Sequence, residues 1–457
     1  MVGEELNQSK NLLSLLQNRF NMKKLLLSIC VILLSLPATL SAKSKGPLTY
    51  GTPESVKMDG KYLNRTIDSI ANASIENHCF PGCQILVARK GKIVFHKSYG
   101  HHTYECEREV ENSHLYDMAS CTKVMAATIC LMKLADEGKI DLDKPYSTYF
   151  EELRGTNKED ITLREYLSHQ GGLRNISASK MLYNKEKKLH EDMFSTEQSE
   201  AYPLTYCDGI YASKNNQELM FRRIANQKVS EKKFVYSCLM FHTYPTLIER
   251  LTGRTYEKFL NEEFYEPLGA KCATYNPLRK FPLSQIVPTA RNSNHRKVVH
   301  GYVHDFAAAS LGGISGNAGL FANTESLAPI LQMLLNGGTY NGKRYLKSKT
   351  IKEWTTRHYA DNDNHRAVGF DKRRLNDNLP LEERTTKPYY YAPSASEKSF
   401  GHSGFTGTMV WVDPEEDLVF IFLSNRVHPN TKNPYFKLNP RSKCHEAAYE
   451  AIRRYKK

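Results

Sequence analysis

Two β-hairpin patterns near opposite ends of the chain, with helical patterns between them, constrain this sequence more than any other feature. Residues 84–89 alternate and are rich in aliphatics, Lys90-Gly91 marks a turn, and 92–99 returns as a second strand. Residues 408–412 and 418–423 repeat the arrangement around Asp413-Pro414-Glu415-Glu416-Asp417, and 442–455 reads as a closing helix. Strands at both ends around a helical middle predict an α+β fold (an α/β sandwich). Its antiparallel sheet is built from both termini and flanked by helices, and an all-α subdomain is inserted at roughly 145–385. The lysine-rich stretch 180–233 reads as a surface excursion.

Composition agrees with a large buried core. At 457 residues, 40% hydrophobic and 25% charged, the chain is neither disordered nor fibrous. The net charge of +14 favours anionic surroundings, but Lys and Arg are scattered, with no dense basic block interleaved with aromatics. Nucleic acid is therefore not an expected partner.

The first 42 residues stand apart from the fold. A polar lead of 21 residues precedes Met22-Lys23-Lys24, an apolar run over 25–36, Pro37 and a small-residue stretch ending Ser41-Ala42. This pattern predicts a secretory signal at about 22–42, with the folded domain over 43–457. The apolar run is too short to cross a hydrocarbon layer of about 30 Å as a helix. A periplasmic or otherwise exported protein, without stable membrane insertion after cleavage, is expected. Ten cysteines at irregular spacing do not form the framework of a small disulfide scaffold. His78-Cys79 with Cys83 has the look of half a zinc site but no second ligand pair at finger spacing, so no metal is expected there.

Three Ser-x-x-Lys sequences occur, beginning at Ser120, Ser177 and Ser230. Context separates them. Over 122–137 the apolar positions Val124, Ala127, Leu131 and Leu134 recur at helical spacing, and Gly138 follows as a cap. Ser120 thus stands where a helix begins, one turn from Lys123, with helix-terminal N–H groups nearby. A serine hydroxyl is a poor nucleophile until a base takes its proton, and a partly desolvated lysine can be that base. From this segment alone, a helix cap with a solvated lysine explains the residues equally well.

Two further segments follow in order: Tyr236-Ser237-Cys238 ahead of a helical pattern over 244–251, and His402-Ser403-Gly404-Phe405 ahead of a strand. Together the three segments resemble the signatures Ser-x-x-Lys, Tyr-x-Asn and Lys-or-His-Thr-Gly of the serine β-lactamase and DD-peptidase superfamily. The chain resembles that superfamily from about residue 82 to its end. Supporting likenesses lie at 161–173, 266–269, 312–321 and 424–429. Within the superfamily it is similar to the class C-like "β-lactamase-related" serine hydrolases of gut Bacteroidetes, among them domains fused behind family 3 N-acetylglucosaminidases. The expectation here is of the hydrolase without that partner domain.

The resemblance implies Ser120 as nucleophile, Lys123 as its base or proton relay, and Tyr236 as a second base that later protonates the leaving group. A phenol beside one or two cations is drawn toward phenolate, which suits it to accept a proton. His402 would replace the lysine of the third signature, Ser403 would bind a substrate carboxylate next to Gly404, and the N–H groups of Ser120 and Phe405 would form the oxyanion hole. One departure matters: Cys238 stands where the superfamily has Asn, and a thiol is a weak donor and acceptor beside a carboxamide. His300, His304 and Asp305 fall in a segment that these relatives share without a metal. The reading is an exported serine hydrolase forming an acyl-enzyme on Ser120, without cofactor, acting on a small molecule or a peptidoglycan-like peptide amide or ester. The rivals are a carboxylesterase or weak β-lactamase, and a catalytically impaired peptidoglycan- or penicillin-binding protein.

Overall fold

Strict alternation of side chains gives the central strands two buried faces, and this sets the layering of the molecule. The computed structural model describes residues 46–293, 295–374 and 390–455. The expected signal at 22–42, and the lead before it, lie outside the described residues. Among them a seven-stranded sheet is formed by β1 (Thr49–Tyr50), β2 (Gly82–Arg89), β3 (Lys92–Gly100), β4 (Asp371–Lys372), β5 (Phe400–Ser403), β6 (Met409–Asp413) and β7 (Leu418–Ser424). Its order is β1-β3-β2-β7-β6-β5-β4, antiparallel throughout except for the β1–β3 pair. Strands from the two ends of the chain meet where β2 pairs with β7, Leu86 opposite Ile421. The expected sheet from both termini is present.

The tight turn between β2 and β3 places Lys90 and Gly91 at positive φ, 51° and 77°, which matches the twist of the flanking strands. On one sheet face Ile85, Val87, Trp411, Phe420 and Phe422 pack with Leu63 and Ile67 of α1 (Gly60–Glu76) and Ala448 and Ile452 of α4 (Pro440–Tyr455). On the other, Leu86, Val410, Val419 and Ile421 face α3 (Thr324–Leu335) and the larger core that holds α2 (Thr128–Asp136). Burying each such side chain contributes roughly 1.5–3 kcal/mol. Both faces of the sheet are therefore covered by helices. Among the described residues no helix is long and apolar enough to cross a membrane.

The region between the terminal strands departs from a purely helical insertion. It carries small antiparallel sheets, including Phe194–Ser195, Leu204–Cys207 and Ile210–Ala212, and a hairpin over Ala290–Ser293 and Arg296–Val299. β4, at 371–372, already belongs to the main sheet, so the insertion ends before 385. The stretch 180–233 is likewise more than a surface excursion: Leu182, Met193, Phe194 and Tyr206 form a separate core with Ile286 and Val303. These strands are only two to four residues long, too short for alternation to show.

Candidate active site

Ser120 lies in a 3₁₀ turn, Ala119–Cys121, and residues Lys123–Ala127 continue as a π-helix before α2 begins. The wide turn is a feature that recurs at functional sites. It puts Lys123 on the same side as Ser120, and the Lys123 ammonium donates to Oγ of Ser120 at 3.0 Å, to the Asn317 carbonyl at 3.0 Å and to Sγ of Cys238 at 3.3 Å. Tyr236, in the loop ahead of the turn Leu239–His242, donates its hydroxyl to the same Ser120 Oγ at 3.0 Å. Lys123 is completely buried. Tyr236 thus reaches an oxygen 116 positions away in sequence, the same one that Lys123 meets.

The Ser230 hydroxyl donates to the Gly172 carbonyl, Lys233 pairs with Glu231, and Lys180 is exposed.

Ser120 opens on a cleft of about 310 Å³, lined also by Ala119, His304, Asp305, Ala318 and Phe405. β5 runs to the edge of this cleft. Gly404 follows it at a close approach, since a Cβ there would come within 2.6 Å of the Met118 carbonyl and against Thr408. Only glycine lets the end of β5 lie against the Ser120 turn. Thr406 and Thr408 fix that contact by donating to the carbonyls of Asp117 and Met118. Among the described residues neither the Ser120 N–H nor the Phe405 N–H has a backbone or side-chain acceptor. Ser120 and Phe405 line the same cleft, and a backbone N–H from each would suit a developing oxyanion there.

Residues 67–438 match the Beta-lactamase family. The chain belongs to that family. Among its relatives is a protein of Salmonella gallinarum named as a D-alanyl-D-alanine carboxypeptidase, 29% identical over 439 residues, covering 90% of this chain and 93% of the relative. Solved structures of the same fold include EstCE1, a hydrolase with promiscuous acyltransferase activity (TM-score 0.61, 15% identity, 85% of this chain and 99% of that one). D-amino acid amidase from Ochrobactrum anthropi is similar too (TM-score 0.60, 17% identity, 86% and 99%), as is a penicillin-binding protein homologue from Caulobacter crescentus (TM-score 0.58, 18% identity, 85% and 97%). As a Beta-lactamase family member the chain is a hydrolase of the serine β-lactamase, DD-peptidase and esterase type.

Against the family signatures, Cys238 occupies the place expected for Asn. Its thiol meets Lys123, and its N–H is held by Oδ1 of Asn175 at 2.7 Å. Burial works against the Lys123 ammonium, yet Cys238 and Tyr236 beside it outweigh that and hold its pKa above the usual lysine value. Burial also pushes the Tyr236 phenol above its ordinary range, by more than Lys123 and Arg366 pull it down. The resting pair is thus an ammonium and a neutral phenol, burial outweighing the pull toward phenolate that a neighbouring cation exerts. Charging a phenol out of water costs more than one neighbouring cation returns.

His402 lies in β5. Its side chain is 1% exposed and its Nδ1 bonds the Ser403 carbonyl at 2.8 Å. Burial, with Arg366 and Lys123 adding to it and Asp371 opposing, pushes its pKa down to about 3. His402 is neutral and does not replace the charge of a lysine. Ser403 ends β5, half-buried. His300 bonds the Ile286 carbonyl, His304 approaches Ser293, and Asp305 caps the short helix Phe306–Ser310. Cys79 and Cys83 are buried free thiols in the core beneath α1 and α4.

Three positioning groups were not singled out by the sequence, although His169 falls in the family-like segment 161–173. Asp117, buried, accepts the Ala119 N–H at 2.8 Å and the His304 N–H at 2.7 Å. It thereby holds Ala119 at φ 45°, a strained conformation for a non-glycine residue directly before Ser120. His169, itself at φ 55°, accepts the Ser237 N–H through Nδ1 at 3.1 Å, and its ring lies 4.5 Å from that of Tyr236. Arg366 stands over the other neighbourhood of Tyr236, its guanidinium carbon 5.4 Å from the ring centroid.

Proposed function

We propose that this chain is an exported serine hydrolase that forms an acyl-enzyme on Ser120 and acts on a cell-wall-peptide-like amide or ester, in the manner of a DD-carboxypeptidase. The observation that carries the reading is the convergence of Lys123 Nζ and Tyr236 Oη, each 3.0 Å from Ser120 Oγ, at the cleft mouth. The relatives' name as D-alanyl-D-alanine carboxypeptidases supports the substrate class, and the leader pattern over 22–42 supports export.

In this reading a substrate carbonyl places its oxygen at the N–H groups of Ser120 and Phe405. Ser120 Oγ attacks the carbon as its proton leaves to the Lys123 and Tyr236 pair in its deprotonated form, and the carbonyl π pair becomes the oxyanion. Collapse expels the amine or alcohol, which takes a proton from Tyr236. Water repeats the sequence with Oγ as leaving group, and the acid is released.

Cys238 favours a second reading, an esterase, because a thiol offers a substrate amide little to hold. Intact mass after incubation with penicillin and with a fluorophosphonate, together with D-alanine release from a peptide ending in D-alanyl-D-alanine, tests both. Adducts on Ser120 from both reagents with D-alanine release support the peptidase; a fluorophosphonate adduct alone supports the esterase. No adduct from either leaves a binding protein. Amino-terminal sequencing of the protein from cells checks export: a mature chain starting near Lys43 is expected, and residues 1–21 intact on a cytoplasmic protein would overturn it.

A further inference from the structure

We propose that Arg366 supplies the fixed positive charge that sets the proton affinity of Tyr236, the task that His402 occupies by position but does not perform. The inference rests on the reading in which Tyr236 takes the Ser120 proton. Arg366 is a positioning residue here: it exchanges no proton and touches no reacting atom.

The geometry begins with a tight turn. Gly369, at φ 83°, lies so close to Thr128 that a Cβ would come within 2.6 Å of its Oγ1, and its N–H bonds the Leu167 carbonyl. The turn brings Asp371 back onto Arg366, and the two form an ion pair through Nη1 and Oδ1. Asn364 accepts the Arg366 N–H at 3.0 Å and donates to the Ser168 carbonyl, so the cation is tied to the segment that carries His169. Arg366 is 2% exposed, and its Nε and Nη2 have no partner among the described residues. A guanidinium this deep stays charged, because it is not deprotonated in proteins. It is therefore a permanent cation over the phenol ring, 5.4 Å from the centroid.

The groups facing Tyr236 can be taken in turn. Lys123 lies 5.4 Å from the ring, but its charge is lost whenever it acts as a base, so it is no constant reference. Cys238, on the same loop as Tyr236, raises the phenol's proton affinity rather than lowering it. His169 and His402, with rings 4.5 and 6.2 Å away, are both held neutral by burial, with Arg366 adding to the effect. Burial alone would raise the Asp371 carboxyl, but the Arg366 guanidinium paired with it holds it well below the usual carboxylate range. Asp371 thus remains an anion that partly offsets Arg366. Of this set only Arg366 is a cation in every protonation state of the catalytic pair.

The test is the pH dependence of kcat/KM on a Ser120-acylating ester, with thermal melting as the check on folding. An ion a few ångströms from a buried group moves its pKa by about one unit or more. Arg366→Gln made together with Asp371→Asn, which leaves no unpaired buried charge, is expected to move the acid limb up by several tenths of a unit, since the offsetting anion goes with the cation. Rate at a fixed pH on that limb then falls a few-fold. Arg366→Lys keeps the charge and should keep the limb near its wild-type position. Asp371→Asn alone removes the counter-charge, so it is expected to move the limb the other way, to lower pH; it decides the matter if the double variant does not fold. Limbs unmoved in the folded variants, while Tyr236→Phe abolishes turnover, overturn the role of Arg366 and leave the base assignment standing. Full activity in Tyr236→Phe overturns the base assignment and this proposal together.

Discussion

Sγ of Cys238 lies 3.3 Å from Nζ of Lys123, so the thiol stands beside the candidate base, at the position where the likeness to the family signatures expects a carboxamide. Cys238→Asn is expected to gain a bond of about 1 kcal/mol to a substrate amide, several-fold in rate. Penicillin acylation and D-alanyl-D-alanine peptide hydrolysis should rise by that factor, and small-ester turnover should change much less. Side-by-side acylation rates of the two proteins check this. No gain on amides, with a lowered melting temperature, would make Cys238 a packing residue.

Ser120→Ala removes the covalent route while leaving the cleft and its amides in place. A loss of at least ~10³ in kcat is expected on any substrate found, with the residual coming from binding and the oxyanion site. Ser177→Ala and Ser230→Ala serve as comparisons. Undiminished turnover in Ser120→Ala, with loss in either of the others, would show that the wrong serine has been chosen.

The hairpins and the nucleophile segment were legible in the sequence because they obey local rules. Lys90-Gly91 has the turn chemistry of its geometry, 84–89 alternates across two buried faces, and Gly138 sits at φ 72° past α2. Ser120 and Lys123 fall at helical spacing, so a single turn of chain brings them together. Local rules also misread this segment in part, since the π-helix at Lys123–Ala127 leaves no mark in hydrophobic periodicity. The protonation states were not legible at all. A cation beside a phenol suggests phenolate, but only the structure reveals that the phenol is buried deeply enough for desolvation to win. His169 and Asp117 act through bonds to backbone N–H groups 68 and 187 positions away, and Arg366 through the ring of Tyr236, and such contacts have no periodic signal.

Because the Lys123 and Tyr236 pair rests as ammonium and neutral phenol, both with raised pKa values, its base form is a minor species at neutral pH. Protons leave such a pair in steps that belong to both members. Acylation rate should therefore climb with pH through and above neutrality, about tenfold per unit while the base form is scarce. Stopped-flow acylation by a chromogenic ester, in which deacylation does not interfere, measures this. A flat profile from pH 6 to pH 9 would mean that the pair is already deprotonated at rest.

Asp117 allows a second use of pH, on stability. Burial pushes its carboxyl up to about 6, against the pull of the His304 and Ala119 N–H bonds. The folded chain then binds the Asp117 proton more tightly than the unfolded chain does. Between the unfolded value near 4 and the folded value, ionisation favours unfolding, so this contribution to stability is complete at low pH and is lost as pH rises through about 6. Asp117→Asn removes the titration. Its carboxamide has one acceptor atom for two N–H donors, so Ala119 loosens and kcat is expected to fall by at least about tenfold. Other carboxylates titrate in the same range, and the informative quantity is the difference between the two proteins. The stability advantage of wild type over Asp117→Asn should grow as pH is lowered from 7 toward 4, by an amount of order 2–3 kcal/mol. Paired denaturant titrations across that range measure it; a difference that stays constant or shrinks toward low pH would show that the carboxyl ionises normally in the fold.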